Sequence, residues 1–151
     1  MSKKILPAGI QTFRKIIEDN CLYVDKTKKI HELITSGSIY FLSRPRRFGK
    51  SLLISTLEEI FSGNKNLFKN LDIEKTDYDW KTYPIIRIDF SALNKESPQN
   101  LEKSMRNILE EISKKYKVNI DKKLLITDYF STLIKELSKI NKVVILIDEY
   151  D

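Results

Sequence analysis

Cysteine and histidine are almost missing from this sequence. Its 151 residues include one of each, Cys21 and His31. A single cysteine excludes an internal disulfide, and one cysteine with one histidine cannot supply the ligands of an ordinary zinc site. Nothing in the sequence orients the two side chains as a nucleophile and its base. Disulfide scaffolds, zinc proteins and thiol enzymes are therefore excluded, and a reducing cytoplasm is the expected location.

Long apolar runs, glycine and proline are also scarce. No stretch approaches the roughly 20 apolar residues that a membrane helix needs. The amino terminus carries basic residues without the apolar segment of a signal peptide. Four glycines and four prolines are spread along the chain, so no low-complexity linker divides it. The sequence predicts a soluble protein with no membrane partner, folded as one domain or as part of one.

Basic residues are present in excess. Lysine and arginine number 27 against 21 aspartates and glutamates, which gives a net charge of +6. This balance favours an anionic partner, such as a nucleotide, a nucleic acid or an anionic surface. Apolar residues make up 41% of the chain, enough to fill one hydrophobic core.

The spacing of apolar residues predicts alternating helices and strands. Three short β-branched and aromatic runs have the character of strands, at residues 38–42, 84–90 and 143–147. Helical spacing predicts helices at residues 11–18, 27–35, 51–61, 101–116 and 125–140. Strands separated by helical segments indicate an α/β layered fold with parallel strands, in which ligands bind beyond the carboxyl ends of the strands.

A phosphate-binding loop is predicted between the first strand and the following helix. The residues from Arg44 to Ser51 match the Walker A pattern G-x-x-x-x-G-K-[ST] in length and in the final Gly-Lys-Ser, whereas Arg44 replaces the first glycine. Gly49 would let the backbone turn close to the phosphates. Lys50 would reach the β and γ oxygens, and the Ser51 hydroxyl would ligate magnesium.

The early part of this loop departs from the pattern. Arg44 lacks the conformational freedom of glycine, and Pro45 has no N–H to offer a phosphate. Arg46 and Arg47 would compensate electrostatically, and Phe48 completes the loop. Gly-Lys-Ser is a common tripeptide and basic loops are usually solvated. The strand before the loop, the helix after it and the lack of acidic residues over 43–57 favour phosphate binding.

An acidic motif follows the last predicted strand. Residues 143–147 form a buried run that delivers Asp148 and Glu149 to its carboxyl end, in the form of a Walker B segment. Asp148 would hold magnesium, and Glu149 would polarise the attacking water. The alternative is a polar turn, which is the weaker interpretation once Lys50 and Ser51 are present. Asp89 ends another strand, where an aspartate more often caps the following turn.

The segment before the loop leaves two interpretations open. Residues 23–27 would wrap the adenine, with Tyr23 stacking on the base. Alternatively, Tyr23 and Val24 belong to the core and Asp25 caps the next helix.

At these residues the sequence resembles the AAA-ATPase-like family of bacterial and archaeal proteins, many of which carry a C-terminal nuclease-like domain of the PD-(D/E)XK type. The resemblance covers nearly the whole chain and rests on residues 6–10, 22–27, 40–51, 88–91 and 144–151. In that family the loop likewise resembles Arg-Pro-Arg-Arg-Phe-Gly-Lys-Ser. The resemblance implies a P-loop NTPase fold of the AAA type, with three layers around a parallel sheet, and ATP with magnesium as its ligands.

The resemblance also implies that residues 1–151 are the N-terminal part of one such domain, with Walker A at 44–51 and Walker B at 143–149. The remaining strands, a sensor, any arginine finger and the nuclease-like domain would then lie beyond this chain. We expect ATP hydrolysis by the full-length protein, which is compatible with an oligomer, and an inactive, poorly stable isolated fragment. Alternatives are a nucleotide-gated regulatory module that does not hydrolyse ATP and a basic nucleic-acid-binding module.

Overall fold

Residues 4–45 and 47–150 are described by the structure, a computed structural model. They fall into two units, Met1–Lys81 and Thr82–Asp151, each with its own buried core. The prediction of one domain over residues 1–151 stays a prediction. None of the helices in the described ranges is both long and apolar enough to cross a membrane.

The first unit is helical. It contains α1 (Phe13–Glu18), α2 (Thr27–Ser36) and α3 (Lys50–Phe61), followed by two short 3-10 helices at Lys65–Phe68 and Asp72–Lys75. These α-helices lie within two residues of the ranges that apolar spacing predicted.

An aromatic cluster fills the core of the first unit. The Phe13 ring stacks on Phe68 with centroids 4.6 Å apart, and Phe68 lies 5.0 Å from the Trp80 ring. Both phenylalanines are fully buried. Because aromatic side chains bury large apolar areas, this cluster holds the 3-10 segment against α1.

The second unit is a small α/β layer. Its elements are β1 (Ile85–Asp89), a 3-10 turn (Phe90–Ala92), α4 (Pro98–Lys115), α5 (Ile126–Ser138) and β2 (Val144–Asp148). The two strands pair in parallel, in a register that runs from Ile85 opposite Val144 to Asp89 opposite Asp148. A parallel pair joined through two helices is what the α/β prediction requires.

One apolar core joins the strands and helices of the second unit. The Tyr129 hydroxyl lies 3.0 Å from the Ser113 hydroxyl, so the one polar atom of this buried ring is hydrogen-bonded. The Ser97 side chain caps α4 by accepting a hydrogen bond from the amide of Asn100. The buried members of the core are Ile86, Ile88, Leu109, Ile120, Tyr129, Leu133 and Leu137.

The predicted strand at residues 38–42 is wrong. These residues have no regular secondary structure, and Ile39 and Phe41 are 91% and 80% exposed. The Tyr40 hydroxyl instead donates a hydrogen bond of 2.6 Å to the carbonyl oxygen of Leu33 in α2. A strand is stable only when its backbone groups pair with a neighbour, and within the described residues this segment is bound to a helix end.

Gly37 permits this arrangement. A Cβ atom at position 37 would lie 2.6 Å from the Tyr40 hydroxyl oxygen, although the backbone there is extended, with φ of −171°. A side chain at position 37 would therefore displace the Tyr40 hydroxyl from its hydrogen bond with Leu33.

Candidate functional site

The loop at residues 44–51 ends in a backbone conformation suited to anions. Gly49 has φ of +77° and Arg47 has φ of +65°, both left-handed, whereas Phe48 between them does not share that conformation. Successive amides in such an alternation point into a common concavity that favours negative charge. A Cβ atom at Gly49 would meet nothing within 4 Å, so backbone freedom is what requires glycine here.

The helix α3 begins directly after this turn. Gly49 is its N-cap, Lys50 and Ser51 form its first turn with no acidic residue, and both side chains are half-buried. Unpaired amides and the helix dipole make such a terminus attractive to phosphate. Arg44, Pro45, Arg47 and Phe48 are exposed, and Arg46 lies outside the described residues.

Two contacts with α1 hold α3 in place. The buried Ser55 hydroxyl accepts a hydrogen bond of 2.9 Å from the Phe13 amide. The guanidinium of Arg14 binds both carboxylate oxygens of Glu59, at 3.0 and 2.8 Å. A bidentate ion pair of this kind fixes the relative orientation of the two side chains as well as their distance. Sequence patterns could not predict these partners, because more than 40 residues separate the members of each pair.

The acidic segment ends β2 in the second unit. Asp148 is 4% exposed, and one of its carboxylate oxygens accepts a hydrogen bond of 3.1 Å from the Glu149 amide. Glu149 itself has φ of +53°. Because an ionised carboxylate has about four acceptor positions, the hydrogen bond from the Glu149 amide leaves others for a ligand.

Asp89 lies opposite Asp148 in the strand register. Its Oδ1 atom accepts hydrogen bonds from the amide and the hydroxyl of Ser91, at 2.8 and 2.6 Å. Asp89 therefore caps the 3-10 turn, as the turn-capping interpretation predicted.

Tyr23 packs within the first unit. Its ring contacts Phe13 edge-on, with centroids 5.1 Å apart. Burial raises the pKa of Tyr23, and a hydrogen bond with Thr56 opposes that effect. The half-buried ring belongs to the aromatic core; the stacking of Tyr23 on adenine stays a prediction.

Asp25 precedes Lys26, which is the N-cap residue of α2 and makes no side-chain cap hydrogen bond, and it binds the first residue of that helix. Its Oδ1 atom accepts hydrogen bonds from the amide and the hydroxyl of Thr27, and its Oδ2 atom accepts one from the amide of Asp72. Partial burial disfavours the charged carboxylate, but these hydrogen bonds outweigh it, and the pKa of Asp25 is lowered. Asp25 thereby ties α2 to the 3-10 helix Asp72–Lys75.

Each of the two units, taken by itself, brings some of the predicted site residues together. In the first unit, the turn at residues 47–49 leads straight into Lys50 and Ser51. In the second unit, the strand pairing places Asp89 and Asp148 side by side at the carboxyl ends of β1 and β2, with Glu149 next along the chain.

Comparisons with known proteins identify a family and a relative. The family model described as "Predicted AAA-ATPase" matches residues 7–151. An uncharacterised protein encoded in the vnfD 5′ region of Azotobacter chroococcum mcd 1 is 41% identical to the chain. The alignment covers all of this chain and 30% of that relative, so the chain spans about a third of the relative's length. No solved structure matches.

The chain belongs to the family of predicted AAA-ATPases. That family description implies that it binds ATP.

Proposed function

We propose that this chain binds ATP through the loop at residues 44–51 and takes part in its magnesium-dependent hydrolysis. The observation that carries the proposal is the turn with left-handed Arg47 and Gly49 that opens α3 with Lys50 and Ser51. Family membership supports ATP as the nucleotide. In this proposal the loop is a Walker A motif and residues 143–149 are a Walker B motif.

The phosphate-binding role is distributed along the loop. Amides of the turn and the first turn of α3 would hold phosphate oxygens, and Lys50 would contact the β and γ groups. Exposed Arg44 and Arg47 would add positive charge where the usual first glycine is replaced. Arg46 would act in the same way.

Each of the two proposed ligands has the oxygen chemistry that a magnesium ion requires. Ser51 offers a hydroxyl in the first turn of α3, and Asp148 offers a buried carboxylate that accepts one amide hydrogen bond. Mg²⁺ usually binds one or two protein oxygen ligands together with substrate phosphates. When bound, the ion would offset negative charge on the phosphates.

Glu149 would act as the base that orients the attacking water. It follows the metal-binding carboxylate directly, and its backbone is fixed by the hydrogen bond to Asp148. A carboxylate in this position accepts a proton from water during attack on the γ-phosphate.

The finer fold assignment is part of the proposal. We place the β1–β2 pair in a three-layer P-loop sheet of the AAA type.

ATP binding and turnover by the complete natural polypeptide test the proposal. We expect Lys50→Ala to weaken ATP binding at least about tenfold, because a charge-assisted contact to phosphate is lost. We expect Glu149→Gln to bind ATP normally and to lower turnover by about 100-fold or more, because the base is lost.

Matched control variants are Lys65→Ala and Glu96→Gln, which alter exposed residues of the same types. Magnesium-dependent binding without turnover by the wild type would favour the nucleotide-gated regulatory module. Absence of ATP binding by the wild type contradicts the proposal.

A second candidate function is nucleic-acid binding, which the charge distribution favours. The first unit has 15 basic and 10 acidic residues, whereas the second has 12 and 11. Nearly all the excess positive charge therefore lies in the unit that contains the loop. In this alternative, DNA and ATP compete for the loop, and DNA affinity falls steeply with added salt.

A further inference from the structure

Glu149 has a backbone conformation that glutamate rarely adopts. Its φ of +53° lies in the left-handed region, which is unfavourable for a residue with a side chain. Such a conformation persists when the surrounding structure enforces it. On its amino-terminal side, β2 and the hydrogen bond to Asp148 fix its position.

On the carboxyl-terminal side, an aromatic contact holds the next residue. The Tyr150 ring meets the Phe90 ring edge-on, with centroids 5.6 Å apart and an angle of 85° between the planes. Phe90 in turn packs against the core of the second unit. The Lys95 ammonium lies 6.0 Å from the centre of the same ring. Tyr150 is thus attached to the core, although it is 71% exposed.

The end of β1 fixes the position of Phe90. Asp89 caps the 3-10 turn Phe90–Ala92 through its two hydrogen bonds from Ser91. Because β1 pairs in register with β2, the strand end that fixes Phe90 neighbours the strand end that delivers Glu149.

We propose that Phe90 and Tyr150 are positioning residues that hold Glu149 in its left-handed conformation. The end of β2 holds Glu149 on its amino-terminal side, and the Tyr150–Phe90 contact holds it on its carboxyl-terminal side. Together they keep the backbone from relaxing and the carboxylate from moving away. The relevance for turnover rests on the proposed function of Glu149 as the base. The effect on the backbone stands independently of it.

The test uses Phe90→Leu and Tyr150→Leu in the complete natural polypeptide, with Tyr150→Phe as the matched control. The first readout is hydrogen exchange of the Glu149 amide, which donates to Asp148. We expect exchange to rise about 3- to 10-fold in both leucine variants, the factor that loss of an aromatic pair predicts. Tyr150→Phe keeps the ring and should match the wild type.

The second readout is ATP turnover and ATP affinity. We expect turnover to fall about 3- to 10-fold in the leucine variants while the dissociation constant of ATP stays within about twofold. A merely structural role would lower affinity and turnover together.

Unchanged amide exchange in both leucine variants overturns the proposal, as does a Tyr150→Phe variant that behaves like Tyr150→Leu. Raised exchange with unchanged turnover overturns the positioning role. If the wild type does not hydrolyse ATP, the proposed function fails, and amide exchange alone decides whether the ring contact holds Glu149.

Discussion

Two apolar runs precede the two charged motifs, and only one of them is a strand. Residues 38–42 and residues 144–148 have similar β-prone compositions. The second run pairs with β1 over five residues, and Leu146 within it is buried. The first is held through Tyr40 to the end of α2 and leaves its apolar side chains exposed. Composition makes a strand possible, and a partner in register makes it stable.

The two charged motifs also differ in what determines their geometry. The acidic segment gains its geometry from long-range pairing, because β1 and the 3-10 turn behind it fix the end of β2. The phosphate-binding turn gains its geometry locally, from left-handed Arg47 and Gly49 and from the start of α3. One motif therefore depends on an assembled sheet, and the other depends on a short segment of chain.

The largest expected effect comes from truncating one apolar side chain in each run. Leu146→Ala should lower the free energy of unfolding by about 2–5 kcal/mol, because it leaves a cavity at a buried position. Phe41→Ala should change it by less than about 0.5 kcal/mol, since the ring is exposed. Chemical denaturation of residues 1–151 measures both. Equal losses would show that residues 38–42 are as well packed as β2.

A smaller effect is expected from Asp25→Asn, which breaks the tie between α2 and Asp72. An amide cannot accept every hydrogen bond of the carboxylate, so we expect a loss of about 1–3 kcal/mol at pH 7. Asp72→Asn is the matched control, since Asp72 donates to Asp25 through its backbone amide. Its effect should stay below about 0.5 kcal/mol.

The pH dependence of this loss has a definite sign. The pKa of Asp25 is lowered from its ordinary value of 3.8, so its carboxylate contributes stability above that pH. The contribution is lost as the pH falls through the lower pKa of the folded state. Denaturation at several pH values should therefore show the wild type and Asp25→Asn converging in acid. A difference that grows below pH 3.8 would contradict this assignment.

The smallest effect is expected from Tyr40→Phe, which removes the hydrogen bond to Leu33. We expect a loss of about 0.5–1.5 kcal/mol and faster hydrogen exchange at residues 38–42, with no change at residues 144–148. Ser36→Ala is the control, because it removes the longer contacts of the Ser36 hydroxyl, 3.2 Å to the Tyr40 hydroxyl and 3.3 Å to the Leu33 carbonyl, and keeps the Tyr40 hydrogen bond to Leu33. Unchanged exchange at residues 38–42 would show that another contact holds the segment.

Local patterns in the sequence predicted much of the fold. Apolar spacing predicted the five α-helices and the two strands found in the described residues, and the Gly-Lys-Ser motif predicted a close backbone turn at Gly49. In α4 helical spacing did not decide which side chain is fully buried: Leu109 is buried, whereas its neighbour Ile108 is half-buried. A helical stripe tolerates either spacing of three or four residues, and only the packing against the sheet decides between them.

Contacts between distant residues could not be predicted in this way. The Arg14–Glu59 pair, the hydrogen bond from the Asp72 amide to Asp25 and the contact of Tyr150 with Phe90 join residues that share no periodicity. The predicted strand at residues 38–42 failed for the related reason that propensity says nothing about partners.

Gly37 and Gly49 differ in what a mutational scan of the chain would reveal. At Gly49 the backbone is left-handed and the surrounding space is open, so asparagine should be the best-tolerated replacement. At Gly37 the backbone suits every residue, but a Cβ atom would collide with the Tyr40 hydroxyl. Replacements at Gly37 should therefore be rescued by shortening residue 40, a pairwise dependence that sequence covariation would detect between positions three apart.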